Sequence, residues 1–73
     1  MDNVYAATCN YISIDNKEGF FPDMRHILAK TESEAEDIYE KLMLKEGKLP
    51  SSRCFSKGYS VSKIKLYTKE DIA

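Results

Sequence analysis

Two cysteines and one histidine are the residues in this 73-residue sequence best suited to nucleophilic catalysis or zinc binding. Nucleophilic catalysis needs a base beside the nucleophile, and Cys9 with His26 would be the cross-strand pair to supply it. An isolated cysteine in a strand is more often a small core residue. Structural zinc sites use four Cys or His ligands at short spacings, which are absent here. The three glycines are dispersed and form no phosphate-binding loop. The sequence therefore predicts no catalytic residues, no metal and no cofactor.

The second chemical feature is a run of basic residues in the C-terminal half. Between residues 41 and 69 there is one acid, Glu46, against eight bases. The bases are Lys41, Lys45, Lys48, Arg53, Lys57, Lys63, Lys65 and Lys69. Such a stripe could follow a nucleic-acid backbone, with Phe55 or Tyr59 available for stacking. Lysines on an edge strand also prevent pairing between sheets. With a net charge of −1 the whole chain has no strong field, so nucleic-acid binding is the alternative rather than the favoured function.

Length and composition predict a single domain spanning residues 1–73. A chain this short buries only about 60 to 65% of its unfolded surface, which leaves a thin margin of stability. With 42% hydrophobic and 32% charged residues it has the composition of an ordinary globular protein. There is no apolar run long enough to cross a bilayer and no signal-peptide pattern. We expect a cytoplasmic protein that does not associate with membranes.

Two strands are predicted near the N-terminus, at residues 3–14 and 23–30. The first has no charged side chain on either face, which favours a central position in a sheet. "DNKEG" at residues 15–19 has the composition of a hairpin turn. Alternation places Tyr5 and Tyr11 on one face of the first strand and Val4, Ile12 and Ile14 on the other. Which of these faces meets the rest of the core is left open.

A helix is predicted over residues 32–46. Thr31 followed by Glu34 is typical of a capping box, in which the carboxylate accepts from the backbone N–H of the capping residue. Gly47 is placed to end the helix in a left-handed conformation. Acidic residues precede basic ones in "KTESEAEDIYEKLMLKEGK", which matches the helix dipole and needs no partner to explain it. An apolar stripe is formed by Ala35, Ile38, Tyr39, Leu42 and Met43.

The remaining segments are predicted as a loop at 47–58, a strand at 59–67 and a tail at 68–73. Leu44 falls outside the apolar stripe, and we expect the loop to cover it. The fold expected is α+β, a ββαβ arrangement with one helix on one face of a three-stranded antiparallel sheet of order 2-1-3. Because the helix covers one face only, the other face is expected to be exposed.

Exposed aromatic and basic residues then become candidates for a partner-binding surface, because exposed apolar patches commonly mark contact sites. The candidates are Tyr5, Tyr11, Phe20, Phe21, Arg53, Lys57, Lys63 and Lys65. The expected partner is a host protein or ribonucleoprotein complex. Pairing of an edge strand into a homodimer is a further alternative.

The segment "HILAKTESEAEDIYEKL", placed between a hairpin and a terminal strand, resembles very small proteins of phages and other mobile elements. Some anti-CRISPR proteins have this strand-strand-helix-strand arrangement. The resemblance covers about residues 23–67 and implies a non-catalytic, phage-encoded inhibitor that binds a bacterial defence complex such as a CRISPR effector or nuclease. It carries no active-site residues with it.

Overall fold

The structure is a computed structural model that describes residues 2–15, 18–58 and 64–73. One helix packs on a mixed sheet, and four strands lie within the described residues. In chain order the elements are β1 (Asn3–Ser13), β2 (Phe21–Ala29), α1 (Glu32–Lys45), β3 (Lys48–Lys57) and β4 (Leu66–Tyr67), followed by a short 3-10 helix at Lys69–Ile72. The prediction of an α+β fold with one helix is confirmed.

The sheet has the order β3-β1-β2-β4. The uncharged strand β1 lies between β2 and β3 and pairs antiparallel with both, as expected of a central strand. Strand β4 pairs with β2 in the parallel direction, with His26 opposite Leu66. The prediction of three strands in a purely antiparallel sheet is therefore wrong in detail.

The third strand is formed by a segment that we predicted as a loop at 47–58. Strand β3 contains a bulge opposite β1, between the pairs Thr8–Cys54 and Asn10–Ser51, and Ser52 there has a positive φ of 47°. The bulge shifts the side-chain alternation, so that Pro50 and Phe55 face the same side although their numbers differ in parity. Because of this shift, apolar residues do not alternate regularly along β3, and the sequence pattern typical of a strand is lost. Of the predicted strand at 59–67, residues 59–63 lie outside the described residues, and Leu66–Tyr67 forms β4 beside β2 rather than beside β1.

The core lies between the helix and one face of the sheet. Among the described residues, ten apolar ones are buried there: Tyr5, Ala7, Cys9, Ile27, Ala29, Ala35, Ile38, Tyr39, Leu42 and Met43. All five residues of the predicted helical stripe are among them, so that prediction is confirmed. Burial of this stripe holds α1 against the sheet, since a 14-residue helix is only marginally stable by itself.

Leu44 is 45% exposed, and the prediction that a loop covers it is wrong. Residues 48–57, which were expected to fold over it, are instead part of the sheet. Leu44 is an isolated apolar residue on the helix surface, which is common in soluble proteins and needs no partner.

Both termini of α1 agree largely with the prediction. The Thr31 hydroxyl accepts a hydrogen bond from the Glu34 backbone N–H at 3.1 Å. The Glu34 carboxylate accepts from the backbone N–H of Lys30 at 3.4 Å, one residue before the position expected for a capping box. At the other end Gly47 has a φ of 77°, the left-handed conformation that glycine adopts without strain.

We expect Thr31→Ala to lower the free energy of unfolding by about 1 kcal/mol, because it removes the side-chain acceptor at the start of α1. Urea unfolding followed by circular dichroism measures the change. Thr31→Ser keeps the hydroxyl and is the matched control, expected within about 0.5 kcal/mol of the unsubstituted protein. Equal loss in both variants would contradict a capping role.

Candidate protein-binding face

Charged residues are distributed unequally between the two faces of the sheet. The four strands contain five charged residues, Asp23, Arg25, Lys48, Arg53 and Lys57. The strand register and their contacts place all five on the side that carries the helix. A sheet with one face packed and one face in water normally shows the reverse, with apolar residues inward and polar residues outward.

Arg25 is the centre of the charged group on the helix side. Its cross-strand neighbour is Ala7, and only 7% of its surface is exposed. Both terminal nitrogens of the guanidinium bond the Glu46 carboxylate, one of them at 2.6 Å, and Nε lies 3.1 Å from Oδ2 of Asp23. The guanidinium carbon also lies 5.0 Å from the centre of the Tyr67 ring. Hydrogen bonds with Glu46 and then Asp23 outweigh burial and raise the pKa of Arg25 above its usual value.

Asp23 connects this ion pair to the core. The Tyr39 hydroxyl donates to Oδ2 of Asp23 at 2.8 Å and lies 3.2 Å from the sulfur of Cys9. Burial, and then the contacts with Cys9 and Asp23, raise the pKa of the Tyr39 hydroxyl, which therefore stays protonated as a donor. The carboxylate of Asp23 thus has partners on both sides, as a buried charge requires.

Glu46 closes the network at the end of α1. Its hydrogen bonds with Arg25, aided by Lys48 at 3.0 Å, lower the pKa of the carboxyl from 4.5 to about 2. Lys48 also lies 4.7 Å from the centre of the Tyr11 ring. The helix terminus is in this way tied to β2 and β3 by ionic contacts.

Among the described strand residues, none on the opposite side of the sheet is charged. Strand pairing places Thr8 beside Met24 and Cys54, Asn10 beside Pro22 and Ser51, and Ile12 beside Leu49 on this side. We call these eight residues the open face: Thr8, Asn10, Ile12, Pro22, Met24, Leu49, Ser51 and Cys54. Its composition is apolar and small polar, although 32% of the whole chain is charged.

Much of the open face is exposed to solvent. Met24 has 66% and Leu49 40% of its surface exposed. Phe20 and Ile14, exposed at 61% and 44%, lie at the adjoining ends of the hairpin strands. A cleft of about 460 Å³ lies between β1, β2 and the β3 bulge. Its lining residues are Thr8, Cys9, Asn10, Pro22, Asp23, Met24 and Ser52.

The other end of the same side is more protected. Val4, Ala6, His26 and Leu28 there are half-buried. Gly58 donates to the Val4 carbonyl at 2.8 Å, and a Cβ built on it would lie 3.5 Å from the side chains of Val4 and His26. Gly58 and Leu66 both lie close to the Ala6–His26 pair. The open face is therefore the half of the sheet toward the hairpin turn.

The aromatic candidates predicted from sequence do not form one surface. Tyr5 is buried in the core at 5% exposure, so the expectation that it is exposed on the surface is wrong. The sequence left open which face of β1 packs against the helix. In the structure it is the face that carries Tyr5. Tyr11 faces the same side and packs against the core, with its ring 5.9 Å from that of Phe21. Phe20 and Phe21 are exposed at the end of the hairpin.

The basic candidates are scattered, and two of the three that the structure describes lie in ion pairs. Arg53 lies 2.8 Å from Glu40, and Lys65 lies 3.5 Å from Asp71 and 4.5 Å from the centre of the Tyr67 ring. Lys57 is exposed at the end of β3, and Lys63 lies outside the described residues. The bases therefore do not form a continuous unpaired stripe across the described residues.

The candidate catalytic pair is not assembled. Cys9 lies in the core on the helix side, whereas His26 faces the opposite side of the sheet. Cys9 and Cys54 are likewise on opposite sides, and both are free thiols. Within residues 2–15, 18–58 and 64–73 there is no group of three or more His, Cys, Asp or Glu that could hold a metal ion.

A second groove of about 680 Å³ runs between α1 and β3. Acidic and basic residues line it, and Glu40 there is paired with Arg53, while Asp37 is paired with Lys41 at 3.0 Å. These are exposed ion pairs of the ordinary surface kind, each worth about 0 to 1 kcal/mol. The groove therefore gives no indication of a ligand.

Seven of the eight residues of the open face were not identified from the sequence as surface candidates, the exception being Ile12. The seven are Thr8, Asn10, Pro22, Met24, Leu49, Ser51 and Cys54. Alternation along a strand puts Met24 on the face of β2 opposite Ile27 and Ala29, but the candidates for the exposed surface were chosen from aromatic and basic residues. The overlooked signal is the position of the charged residues along β2. Asp23 and Arg25 lie on the same face of the strand as the buried Ile27 and Ala29.

Comparisons with known proteins find no matching family, no curated relative and no similar solved structure. Among the described residues, none of the helices has the length and apolar character needed to span a membrane.

We expect Glu46→Gln to weaken the acid dependence of stability. Because the folded-state pKa of Glu46 is depressed to about 2, its contribution is fully present above about pH 4.5 and is lost as the pH falls toward 2. At pH 7 the variant should be less stable by about 1 to 2 kcal/mol, since Arg25 loses an ionic partner that is itself partly exposed. Urea unfolding from pH 7 to pH 2.5 measures the difference.

The stability difference between the two proteins should shrink as the pH falls below about 4.5, where Glu46 begins to be protonated in the unfolded chain. Glu36→Gln, on the exposed face of α1, is the matched control and should leave the pH profile unchanged. A constant difference between unsubstituted protein and Glu46→Gln at every pH would contradict the assignment.

Proposed function

We propose that this protein is a non-catalytic binding protein that docks onto another protein through the open face. The observation that carries the proposal is the charge distribution in the sheet, with all five charged strand residues on the helix side. Burying an unpaired charge in an interface costs several kcal/mol, so interface centres are depleted of charged residues. A solvent-facing sheet surface that lacks charge is suited to burial against a partner.

The composition of the open face supports a protein partner in particular. Met24, Leu49 and Ile12 provide apolar contact area, and Phe20 extends it at the hairpin end. Thr8, Asn10 and Ser51 provide hydrogen-bonding groups without charge. Exposed apolar area of this kind on a small protein commonly marks a contact site.

The target class rests on the sequence resemblance alone. The resemblance of residues 23–67 to small phage and mobile-element proteins makes a bacterial defence complex the proposed target, and blocking of that complex the proposed activity. The open face is the surface that we propose for docking of such an inhibitor.

Nucleic-acid binding is less well supported. Affinity for a phosphate backbone depends on cations that are free to neutralise it. Among the described bases of the stripe, Lys41, Lys48, Arg53 and Lys65 lie in ion pairs with acidic residues of the chain, whereas Lys57 and Lys69 are exposed. The open face itself offers no cation to a phosphate.

We expect Met24→Glu to abolish capture of the target without unfolding the protein. Met24 is 66% exposed, so the free energy of unfolding should change by less than about 0.5 kcal/mol. Leu44→Glu is the matched control, because it also replaces an exposed apolar residue with glutamate but lies on the helix. The unsubstituted protein, Met24→Glu and Leu44→Glu are each used as bait for affinity capture from bacterial lysate. Quantitative mass spectrometry of the three captured samples identifies proteins whose capture requires Met24.

Each such protein is then purified and titrated calorimetrically with the three baits. The expected result is at least about tenfold weaker binding for Met24→Glu and unchanged binding for Leu44→Glu, because the new charge would be buried without a partner. Partners that bind all three baits equally, or a salt-dependent gel shift with RNA or DNA at micromolar concentration, would overturn the proposal.

A further inference from the structure

We propose that the outer edge of β2 is a binding site for an extended peptide segment, and that residues 64–73 of the chain itself occupy this site as a detachable strap. We call residues 64–73 the C-terminal strap. When the strap opens, another extended segment with an aliphatic and an aromatic residue at adjacent positions takes its place. This site is separate from the open face and does not rest on the proposed function.

The C-terminal strap is held on β2 by little backbone pairing. Strand β4 is Leu66–Tyr67, and its register with β2 consists of the pairs to His26 and Ile27. By contrast β1 pairs with β2 along the whole of Phe21–Ala29. A parallel pair two residues long contributes little stability by itself. The position of the strap therefore depends on its side chains.

Those side chains contact the rim of the protein rather than its centre. Tyr67 and Ile72 are half-buried and pack against the core. The Lys45 ammonium donates to the Asp71 carbonyl at 3.1 Å. The structure describes every residue from 64 to 73, and none of them is fully buried. The buried apolar residues of the described core all lie between positions 5 and 43, so this core does not depend on the strap.

Contacts within the C-terminal strap hold it together as one unit. The Thr68 hydroxyl accepts from the Glu70 backbone N–H at 3.1 Å, and the Asp71 carboxylate accepts from the Thr68 backbone N–H at 2.8 Å. Lys65 lies 3.5 Å from Asp71 and 4.5 Å from the centre of the Tyr67 ring. These contacts join strap residues to one another and are kept when the strap leaves β2. Segments with few buried contacts open as cooperative units while the rest of a protein stays folded.

The seated segment indicates what the site recognises. Partner residues of a parallel pair face the same side of a sheet, so Tyr67 lies on the helix side with Ile27, and Leu66 lies on the other side with His26. The Arg25 guanidinium carbon is 5.0 Å from the centre of the Tyr67 ring. A guanidinium is attracted to the face of an aromatic ring. An aromatic side chain is therefore the expected anchor of a segment that replaces the strap.

Opening of the C-terminal strap leaves the outer edge of β2 unpaired. Free N–H and C=O groups along such an edge are a template for a further strand. Pro22 lacks a donor, but it lies near the start of β2, away from His26 and Ile27. The uncovered edge around His26 and Ile27 is thus available to an incoming segment.

Native-state proteolysis of the full chain tests whether the strap opens by itself. Trypsin cleaves after lysine, and Lys65 and Lys69 are exposed in the strap, whereas Lys41 is exposed in α1. Without denaturant we expect cleavage after Lys65 or Lys69 to be at least about tenfold faster than cleavage after Lys41. Equal rates would overturn the proposal, because the strap would then open only with the whole protein.

Ile72→Ser should raise the rate of strap cleavage about tenfold, because it removes apolar contact between the strap and the core. Ile64→Ser is the matched control, since Ile64 is a 40% exposed residue of the same segment, and its effect should be less than about twofold. Lys45→Ala leaves the strap sequence unchanged and removes the donor to Asp71, so it is a second opening variant with an expected increase of about threefold.

A fluorescent synthetic peptide with the sequence of residues 64–73 tests strand exchange. Its apparent dissociation constant depends on the fraction of protein in which the strap is open. Anisotropy titration should therefore show binding about tenfold tighter to Ile72→Ser, and about threefold tighter to Lys45→Ala, than to the unsubstituted protein or Ile64→Ser. The same peptide carrying Tyr67→Ser should bind each protein at least about tenfold more weakly.

Equal peptide binding by the unsubstituted protein and both opening variants would overturn the proposal. So would the absence of binding to every variant at up to about 1 mM peptide, which is the effective concentration of a segment on a short tether. Met24→Glu should bind the peptide as the unsubstituted protein does, because Met24 lies on the open face. Failure of strap exchange and failure of target capture are in this way distinguished.

Discussion

The Arg25 guanidinium lies beneath the helix on the packed side of the sheet, and many of the other contacts follow from this position. An arginine cannot lose its charge in a protein, so burial there requires carboxylates within reach. Asp23 on the same strand and Glu46 at the end of α1 supply them, and Tyr39 in turn donates to Asp23. These contacts determine where the helix ends relative to β2. Asp23 and Arg25 therefore both lie on the packed side of β2, and Met24 between them is exposed on the other side.

Placing this ionic network on the packed side of the sheet lowers the stability that the protein gains from its interior. A chain of this size buries little apolar surface, and a buried ionic network contributes less stability than well-packed apolar residues of the same volume. Such a network is nevertheless compatible with folding because each of its charges is met by at least one hydrogen bond, and among the described residues no buried side-chain nitrogen or oxygen lacks a partner. Its effect is to reserve the other side of the sheet for uncharged residues.

Local signals predicted much of the fold. The cap at Thr31, the left-handed Gly47 and the apolar stripe of α1 each depend on residues within a few positions of one another, and all three are present. The central position of β1 followed from its lack of charge. Strand β3 was missed because its bulge breaks the period of two on which strand recognition depends. The open face was missed because it depends on pairing between three strands, and because burial of Arg25 is a tertiary effect that no local pattern in β2 indicates.

The bulge in β3 has a consequence for the behaviour of the chain at high concentration. Fibril growth requires a continuous run of extended backbone to which further identical strands can be added. Along the outer margin of β3, Pro50 lacks one donor and Ser52 turns the backbone into the left-handed region two residues later. The outer edge of β3 is thereby divided into short stretches, which disfavours the addition of a further strand along it.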